Sequence, residues 1–543
     1  MPTASKSKSK KVPSKDKKTK DKAVEASPPK FDWLAWRPLA QAALAGAIFG
    51  LSAPGFDQWY IAWFGLAPLF LLSVSSANVW QAALRGLIFG SAYNLVYLNW
   101  YLHLHPLSWM GMADWQSIPL AVFCWVFVSV WQGVITAIFS LAIRLIPLCG
   151  GAIPRKVEDK WKVPALIFIP IFWTALFEKL GNAHELVGVP WSMIEYSQYK
   201  QTALIQIASI IGGVGLSVIM VAVNVAIATL ISTQIRKIDF KALAESSKLS
   251  AVCSLLVLSL IIAGTIIFGF VQIQNTKLNP NVPLTVLQGN INIEMQKTTR
   301  SYTIKDLLQL YASQLKHCPS GLCVFTESAL PTYLRQSPNV VSFLASAARS
   351  RQIDMVVGSI DEDDANRAYN SAFGIDRRGN LHSEAYHKRF LVPVGEYTPG
   401  FVKFFPDFIQ QLTNTPAGTG FTAGKKPTVL NLSGMAVGPL ICFETIAPEL
   451  ATSSVRNGAE VLVNISDLAW FHNSMIGDQT TACAAFRAVE TGRYFVYAAN
   501  TGPSMVINPL GQVTGRTAMG TDTMLIRKVQ MRNEKTIFSQ WYH

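Results

Sequence analysis

Residues 439–444 have the sequence Pro-Leu-Ile-Cys-Phe-Glu, in which an apolar run ends at Cys442 and Glu444 follows two residues later. A short apolar run bounded by polar residues is typical of a buried strand in an α/β domain. A cysteine in such a strand often serves only as a small core hydrophobe. It acts as a nucleophile when a base and an oxyanion stabiliser lie beside it, so the rest of the chain has to supply those two groups.

Two segments upstream carry the groups that a cysteine nucleophile requires. Residues 325–331 place Glu327 at the end of an apolar run, and residues 387–397 place Lys388 in a charged cluster that apolar residues follow at once. Partial burial of a carboxylate raises its pKa towards that of a useful base, and a lysine can stabilise an oxyanion. We therefore predict acyl transfer through a thioester, with Cys442 as nucleophile, Glu327 as general base and acid, and Lys388 as oxyanion stabiliser.

The composition indicates a membrane protein of at least two domains. Half of the 543 residues are hydrophobic and 15% are charged, whereas soluble domains carry about 25% charged residues. Residues 31–273 contain apolar segments that mostly suit the thickness of a bilayer. These segments are 38–54, 59–75, 81–101, 117–146, 162–178, 203–232 and 250–272. The first two are short enough to be half-spans, so we predict a polytopic membrane domain of about seven helices over residues 31–273.

The positive charge of the chain is concentrated in its first residues. Residues 1–30 carry ten lysines and three acidic residues, which amounts to half of the formal net charge of +14. A low-complexity basic segment of this kind is disordered and touches anionic lipid, and it does not indicate a nucleic acid partner. Because loops 155–162 and 236–248 are basic as well, the positive-inside rule places them and the tail in the cytoplasm. An odd number of helices then puts everything after residue 273 on the outer face.

Residues 281–530 have the pattern of an α/β domain. Short β-rich runs alternate with helical patterns, which predicts sheets covered by helices. The predicted strands are 284–287, 322–326, 355–360, 372–375, 437–443, 461–465, 494–498 and 505–508. The predicted helices are 338–351, 445–457 and 478–492.

Residues 283–527 resemble the nitrilase, or carbon–nitrogen hydrolase, superfamily, because the segments around Glu327, Lys388 and Cys442 follow one another in that family's order. With the polytopic first half, the whole chain resembles the bacterial apolipoprotein N-acyltransferase family. The further segments that carry this resemblance are 188–198, 288–291, 466–471 and 499–502. The resemblance implies an αββα sandwich for the second half beside an α-helical transmembrane bundle.

The resemblance also implies a reaction and its partners. A membrane phospholipid gives an acyl chain to Cys442, and the thioester passes it to the N-terminal α-amino group of a diacylglyceryl-cysteine apolipoprotein. The expected location is the bacterial inner membrane, with the lipid bilayer as a partner and the catalytic domain on the periplasmic face. We expect no cofactor and no metal, since an acyl ester already reacts with a thiolate and the sequence has no Cys-x-x-Cys pair and no His cluster.

Two carboxylates and four aromatic residues complete the predicted site. By the resemblance, Glu396 and Glu444 orient the lysine and the cysteine segment, although a salt bridge with a neighbouring basic residue would also explain either one. The predicted substrate-binding residues are Trp191, Tyr196, Trp470 and Phe471. The first two could equally be anchors at the membrane surface, where aromatic side chains gather.

The chain departs from the family pattern at three places. Residues 531–543 are an expected C-terminal tail that lacks the family's last membrane helix. Lys297 or a neighbour replaces a tryptophan common in the loop after the first strand, and residues 466–468 are Ser-Asp-Leu where the family commonly has Ser-Asn-Asp. The main alternative function is a membrane-tethered nitrilase-type amidohydrolase with water as the acceptor. A third hypothesis is a lipid-binding scaffold without catalysis.

The other cysteines give no clear framework. Cys318 and Cys323 are close in sequence, and a disulfide between them is open if this region lies outside the cytoplasm. Cys483 is expected to be buried. The remaining three fall in or beside apolar helices, where cysteine behaves as a small hydrophobe.

Overall fold

The structure is a computed structural model that describes residues 33–108, 112–146, 148–149, 163–181, 191–234, 244–291, 303–392, 395–397 and 420–542. The predicted lysine-rich tail 1–30, the basic loop 155–162 and Lys297 lie outside these ranges.

The described part of the first half folds mainly into helices. They are α1 (Trp33–Gly50), α2 (Ala67–Val74), α3 (Val79–Tyr97), α4 (Asp114–Leu145), α5 (Ala165–Gly181), α6 (Thr202–Ile205), α7 (Ala208–Gln234) and α8 (Ala244–Asn275). Three 3₁₀ turns, Trp59–Trp63, Asn99–Leu104 and Ile194–Gln198, connect them. Two short strands, β1 (Leu148–Cys149) and β2 (Val163–Pro164), pair in parallel.

The apolar segment 59–75 does not form the continuous helix that the sequence predicts. It is a 3₁₀ turn followed by the eight-residue α2. Pro68 favours a helix start there, because it has no N–H to donate to a preceding turn. The backbone N–H groups of Leu66 and Ala67 donate instead to Oδ1 of Asn224 in α7, at 2.9 and 3.2 Å. A buried side-chain partner of this kind is needed where no water can reach the backbone.

Three of the described helices are long and apolar enough to cross a bilayer. They are α4, residues Ala208–Ser232 of α7 and residues Val252–Asn275 of α8. Helices α1, α3 and α5 are 18, 19 and 17 residues long, close to the roughly 20 residues that a crossing requires. The helical half therefore has the character of a membrane domain.

Two mixed sheets form the second half of the chain. The first has the strand order β15-β3-β4-β6-β7-β8, with β5 beside β6, and the second has the order β14-β13-β12-β11-β10-β9. The strands of the first sheet are β3 (Val282–Gln288), β4 (Gly321–Val324), β5 (Leu330–Tyr333), β6 (Ile353–Glu362), β7 (Ala368–Ile375), β8 (Tyr386–His387) and β15 (Thr523–Val529). Those of the second are β9 (Leu430–Leu432), β10 (Met435–Ile441), β11 (Val461–Ser466), β12 (Phe495–Ala499), β13 (Met505–Ile507) and β14 (Val513–Arg516).

The sheets pack face to face, and helices cover their outer faces. Side chains of β4 show the alternation: Leu322 and Val324 lie in the core between the sheets, whereas Cys323 faces the helices α9 (Ile304–Leu315) and α10 (Pro338–Arg351). Helices α11 (Pro448–Arg456) and α12 (Ile476–Thr491) cover the second sheet. The predicted αββα sandwich is confirmed.

The helical half and the sandwich share one continuous hydrophobic core. Hydrogen bonds also cross between them. Nε1 of Trp100 donates to Oε1 of Gln479 in α12 at 3.0 Å, and the backbone N–H of Gly213 in α7 donates to Oε1 of Glu490 at 2.9 Å. The interface that joins the two halves is therefore built around α12 and α7.

The end of the chain packs against the same interface. Residues 537–541 form α13 (Ile537–Trp541), in which Phe538 is fully buried against Gly212, the kink of α7. Nε1 of Trp541 donates to the carbonyl of Ile210 at 3.1 Å. The predicted tail is thus a docked segment up to residue 542. The sequence also predicts that the aromatic segments 401–405 and 408–409 dock onto the membrane half or pack inside the α/β core, and both segments lie outside the described ranges.

Candidate active site

Cys442 follows the last residue of β10 in a strained conformation. Its φ angle is +54°, in the left-handed region that costs a residue other than glycine about 1–3 kcal/mol. Two hydrogen bonds to its carbonyl oxygen, from Oγ1 of Thr445 and Nδ2 of Asn464, both at 3.1 Å, hold the turn. The chain then enters a 3₁₀ turn, Cys442–Ile446. The thiol is thereby fixed at the point where the strand ends.

Glu444 joins the cysteine turn to the segment that carries Lys388. Its carboxylate is fully buried and accepts four hydrogen bonds. The donors are the backbone N–H groups of Arg389, Phe390 and Ile441 and the hydroxyl of Tyr386, at 2.6, 3.0, 2.7 and 2.7 Å. Burial raises the pKa of Glu444, while these four donors act in the opposite direction. Glu444 does not contact the ammonium of Lys388, so it positions the backbone on either side.

Lys388 lies in a buried cluster of carboxylates. Its side chain is 1% exposed, and Nζ lies 2.8 Å from Oε1 of Glu396 and 3.2 Å from Oε1 of Glu327. Nδ2 of Asn370 donates to the same two oxygens at 2.9 and 2.8 Å. Burial alone would lower the pKa of Lys388, but the two carboxylates outweigh it and raise that pKa well above its ordinary value. The lysine therefore stays charged.

Glu327 connects the two sheets of the sandwich. It follows β4 in the first sheet, and its Oε2 accepts a hydrogen bond from the backbone N–H of Asp467, after β11 in the second sheet, at 2.9 Å. Its Oε1 lies against Lys388. Both carboxylate oxygens are thus held, and the side chain is 9% exposed.

The charges of this cluster change the pKa of the Cys442 thiol. Burial and the negative charge of Glu327 raise the pKa of Cys442 to about 12, against the opposing effects of Lys388 and a hydrogen bond with Ser466. At neutral pH the thiol is therefore protonated, and it becomes a nucleophile only when a base removes its proton. Glu327 is the carboxylate with the largest effect on the thiol.

An aromatic cluster lies beside the cysteine turn. Trp191 is 3% exposed and stacks on Phe443 with ring centroids 5.4 Å apart. Trp100 packs edge-to-face with Trp191 and with Phe471, with ring centroids 6.0 and 4.9 Å apart. The structure thus places the predicted residue Trp191 against Phe443, which follows Cys442, and links it through Trp100 to the predicted residue Phe471.

Comparisons with known proteins cover both halves of the chain. The family model described as carbon-nitrogen hydrolase matches residues 284–536, and the model described as apolipoprotein N-acyltransferase N-terminal domain matches residues 45–226. A protein of Geobacter metallireducens named apolipoprotein N-acyltransferase is 31% identical over 94% of this chain and 93% of its own length. The chain belongs to the apolipoprotein N-acyltransferase family.

A second relative with the same name, from Nitrosomonas europaea, is 30% identical over 90% of each chain. Among solved structures, Saccharomyces cerevisiae Nit3, a member of branch 10 of the nitrilase superfamily, is 18% identical, with a TM-score of 0.36 over 47% of this chain and 92% of that chain.

The other two predicted aromatic residues of this family member lie differently. Trp470 is partly exposed in the 3₁₀ turn Ala469–Phe471. Tyr196 is buried against Phe486 of α12, with ring centroids 5.6 Å apart, and contacts the Cys483 thiol. Its position inside the interface between the two halves favours a structural role.

Three residues of the site carry no signal in the sequence. Asn370 bridges two carboxylates from β7, Trp100 joins two aromatic residues that are far apart in the chain, and Phe390 contacts Phe443 with ring centroids 5.5 Å apart. Each of these contacts depends on long-range packing. Within the described residues, no group of three or more His, Cys, Asp or Glu side chains is arranged to bind a metal ion.

A groove of about 480 Å³ opens near the aromatic cluster. It lies between the 3₁₀ turn that contains Trp100 and the start of α12. Its lining residues are Asn99, Leu102, His103, Asn473, Ser474, Met475 and Asp478. The groove therefore belongs to both halves of the molecule.

Proposed function

We propose that this protein moves an acyl chain from a membrane phospholipid, through a thioester on Cys442, to the N-terminal α-amino group of a diacylglyceryl-cysteine apolipoprotein. The observation that carries the proposal is the buried cluster of Glu327, Lys388 and Glu396, whose charges act on a cysteine fixed at a strand end. The sandwich that carries this cluster shares one hydrophobic core with a half of the chain built of apolar helices. Such a half suits an enzyme whose donor and acceptor are both anchored in a bilayer.

Formation of the thioester begins with proton transfer. Glu327 accepts the proton of the Cys442 thiol, and the thiolate attacks the ester carbonyl of the phospholipid. The oxyanion forms beside Lys388, whose positive charge stabilises it. When the C–O bond breaks, Glu327 gives the proton to the departing oxygen of the lysophospholipid. The acyl chain stays on the sulfur.

Transfer to the lipoprotein uses the same two groups in the same roles. The neutral α-amino group attacks the thioester carbonyl, and Lys388 again stabilises the oxyanion. Glu327 accepts a proton from the attacking nitrogen. The C–S bond then breaks, and the proton passes from Glu327 to the sulfur, which restores the resting thiol.

The two supporting carboxylates act through other residues. Glu396 pairs with the Lys388 ammonium at 2.8 Å and keeps it charged and oriented. Glu444 ties the backbone after Lys388 to the end of β10. Both are therefore proposed as positioning residues.

Trp191 and Phe471 are proposed to contact the acyl chain. Their rings, together with Trp100, form an apolar cluster that packs on Phe443, the residue after the nucleophile. Trp470 is proposed to shape the wall of the same pocket. Tyr196 is left out of this surface because it packs on α12.

The proposed organisation follows the charge pattern of the chain. Residues 31–273 are proposed as the membrane domain and residues 281–530 as the catalytic domain. The lysine-rich residues 1–30 are proposed to lie in the cytoplasm and the catalytic domain on the periplasmic face of the inner membrane, because the basic loops 155–162 and 236–248 favour the inner side. A bacterial inner membrane supplies both lipid substrates.

The amidohydrolase alternative is not favoured. Relatives that match 90% or more of this chain are named for N-acyl transfer, and residues 45–226 match that family's own N-terminal domain. Water as the acceptor would require no membrane domain.

The proposal is tested with purified protein, a phospholipid labelled in its acyl chain and a diacylated lipopeptide. Phospholipid alone should leave label on the peptide that contains Cys442, and the lipopeptide should then carry it away on its amine. Cys442→Ala should show neither step.

Two outcomes would contradict the proposal. Label on Cys318, Cys323 or Cys483 would remove Cys442 from its role. Release of free fatty acid at the same rate with and without the lipopeptide would favour hydrolysis over transfer.

A further inference from the structure

Cys318 and Cys323 lie side by side in the sandwich. Cys318 follows the end of α9, Cys323 lies in β4, and their sulfur atoms are 3.9 Å apart. The two residues are 1% and 0% exposed. Neither takes part in the reaction proposed above.

The local fold places both side chains on one face of the first sheet. Cys323 pairs in register with Thr285 of β3 and Met355 of β6, and it faces the layer of helices. Gly321, with a φ angle of +143°, allows the tight return from α9 into β4. The short turn between the two cysteines thus holds Cys318 over Cys323.

We propose that Cys318 and Cys323 form an intramolecular disulfide in the mature protein. The proposal rests on the periplasmic location given under the proposed function, because disulfides form and persist in oxidising compartments. One S–S bond forms, and the two thiols lose two protons and two electrons. A disulfide-bearing oxidant accepts these and becomes a dithiol.

Burial sets the order of events. An oxidant cannot reach two sulfurs that are almost fully covered, so the bond closes before α9 packs onto the sheet. After folding, the same burial shields the bond from reductants.

The bond would fix the strand that leads to Glu327. Cys323 is the third of the four residues of β4, which ends at Val324, three residues before that carboxylate. A covalent link so near the end of this short strand restrains the segment that carries the proposed base. It would act on structure and not on the reacting atoms.

One tryptic peptide reports the bond directly. Trypsin cleaves after Lys316 and after Arg335, so residues 317–335 contain both cysteines and no other. Cells are quenched with acid, and the full-length protein is denatured and alkylated before and after reduction. Peptide 317–335 should carry no alkyl group and weigh two hydrogens less before reduction, and it should carry two alkyl groups after it.

Controls make each outcome decisive. Cys483 is equally buried in the folded protein and contacts Tyr196. Its alkylation in every denatured sample shows that unfolding has exposed the buried thiols. In Cys318→Ser, the remaining Cys323 must be alkylated without reduction. Two alkyl groups on peptide 317–335 before reduction would overturn the disulfide.

A separate measurement distinguishes this failure from that of the proposed function. An impermeant amine reagent on intact cells reports the side of the catalytic domain, and acyl transfer to a lipopeptide reports activity. Free thiols in an active, outward-facing enzyme would overturn the disulfide alone. Free thiols in an inward-facing domain would overturn the periplasmic location as well.

Discussion

Lys388 is the residue on which the candidate site depends. Its ammonium and the amide of Asn370 hold Oε1 of Glu327 and Oε1 of Glu396 close together. Two carboxylates that both lie within 3.2 Å of one ammonium repel each other, and the buried positive charge offsets that repulsion. Lys388 therefore stabilises the resting structure, in addition to its proposed role at the oxyanion.

Glu327→Gln tests the proposed base and leaves the rest of the cluster in place. The variant keeps the shape of the side chain but cannot accept the thiol proton, so the rate of thioester formation should fall by about 10²–10⁴. The thiol, whose pKa is about 12 in the parent, must then lose its proton to solvent. The residual rate should rise about tenfold per pH unit through the alkaline range below the thiol pKa. Mass spectrometry of the acylated Cys442 peptide measures both effects.

Glu384→Gln is the matched control for that variant. Glu384 pairs with Lys426 at 2.8 Å, but both side chains are more than half exposed. Its rate and pH profile should equal those of the parent. A Glu327→Gln enzyme with the parent's pH profile would show that another group accepts the proton.

Two interior strands explain why the sequence could predict that the segments of Glu327 and Cys442 meet. The segments with Glu327 and Cys442 follow apolar runs, and apolar runs form the interior strands β4 and β10. All eight predicted strands are present in the structure for the same reason. Because both residues follow strand ends in facing sheets, the sandwich brings their segments together. The catalytic roles themselves stay predictions.

Other elements carry no such signal. The strands β5, β8, β9, β14 and β15 are short or lie towards the sheet edges, where alternating polar side chains face solvent. Asn370 and Trp100 reach the site through pairings between distant parts of the chain. Spacing in the sequence records neither strand register across a sheet nor the approach of the 3₁₀ turn that contains Trp100.

Helix α12 links the cysteine turn to the membrane half through a buried ion pair. Arg487 is 2% exposed, its guanidinium lies 2.8 Å from Glu490, and it donates to the carbonyl of Ile446 at 3.1 Å, where the cysteine turn ends. Arg487→Met leaves Glu490 buried and unpaired and should cost about 3–5 kcal/mol of stability. Thermal unfolding in detergent should therefore occur at a clearly lower temperature, and thioester formation should slow.

A control on a solvent-exposed partner of α12 isolates the effect of burial. Arg516 pairs with Asp478 of that helix at 2.9 Å in an exposed position, so Arg516→Met should change stability by at most about 1 kcal/mol. Adding Glu490→Gln to Arg487→Met should restore part of the loss, because the unpaired charge is removed. Equal unfolding temperatures for both arginine variants would contradict this account of α12.

For the whole molecule, the shared core implies that the two halves unfold together. Phe538 of α13 is fully buried against the kink of α7, and Phe538→Ala should cost about 3–5 kcal/mol. Ile537→Ala changes a neighbour that is 55% exposed and should leave the unfolding temperature unchanged. Unfolding is followed by the fluorescence of the purified protein in detergent. Identical temperatures for the two variants would mean that α13 does not hold the halves together.

Orientation in the membrane is the last property that the charge pattern predicts. With the basic loops inside, an impermeant amine reagent on intact cells should label Lys426, whose side chain is 68% exposed in the sandwich, and should spare Lys156 and Lys237 in those loops. Broken cells should give label on all three lysines, which controls for reactivity. The same orientation exposes Cys318 and Cys323 to an oxidising compartment during folding. Label on Lys156 and Lys237 alone in intact cells would reverse the orientation and remove the reason to expect the disulfide.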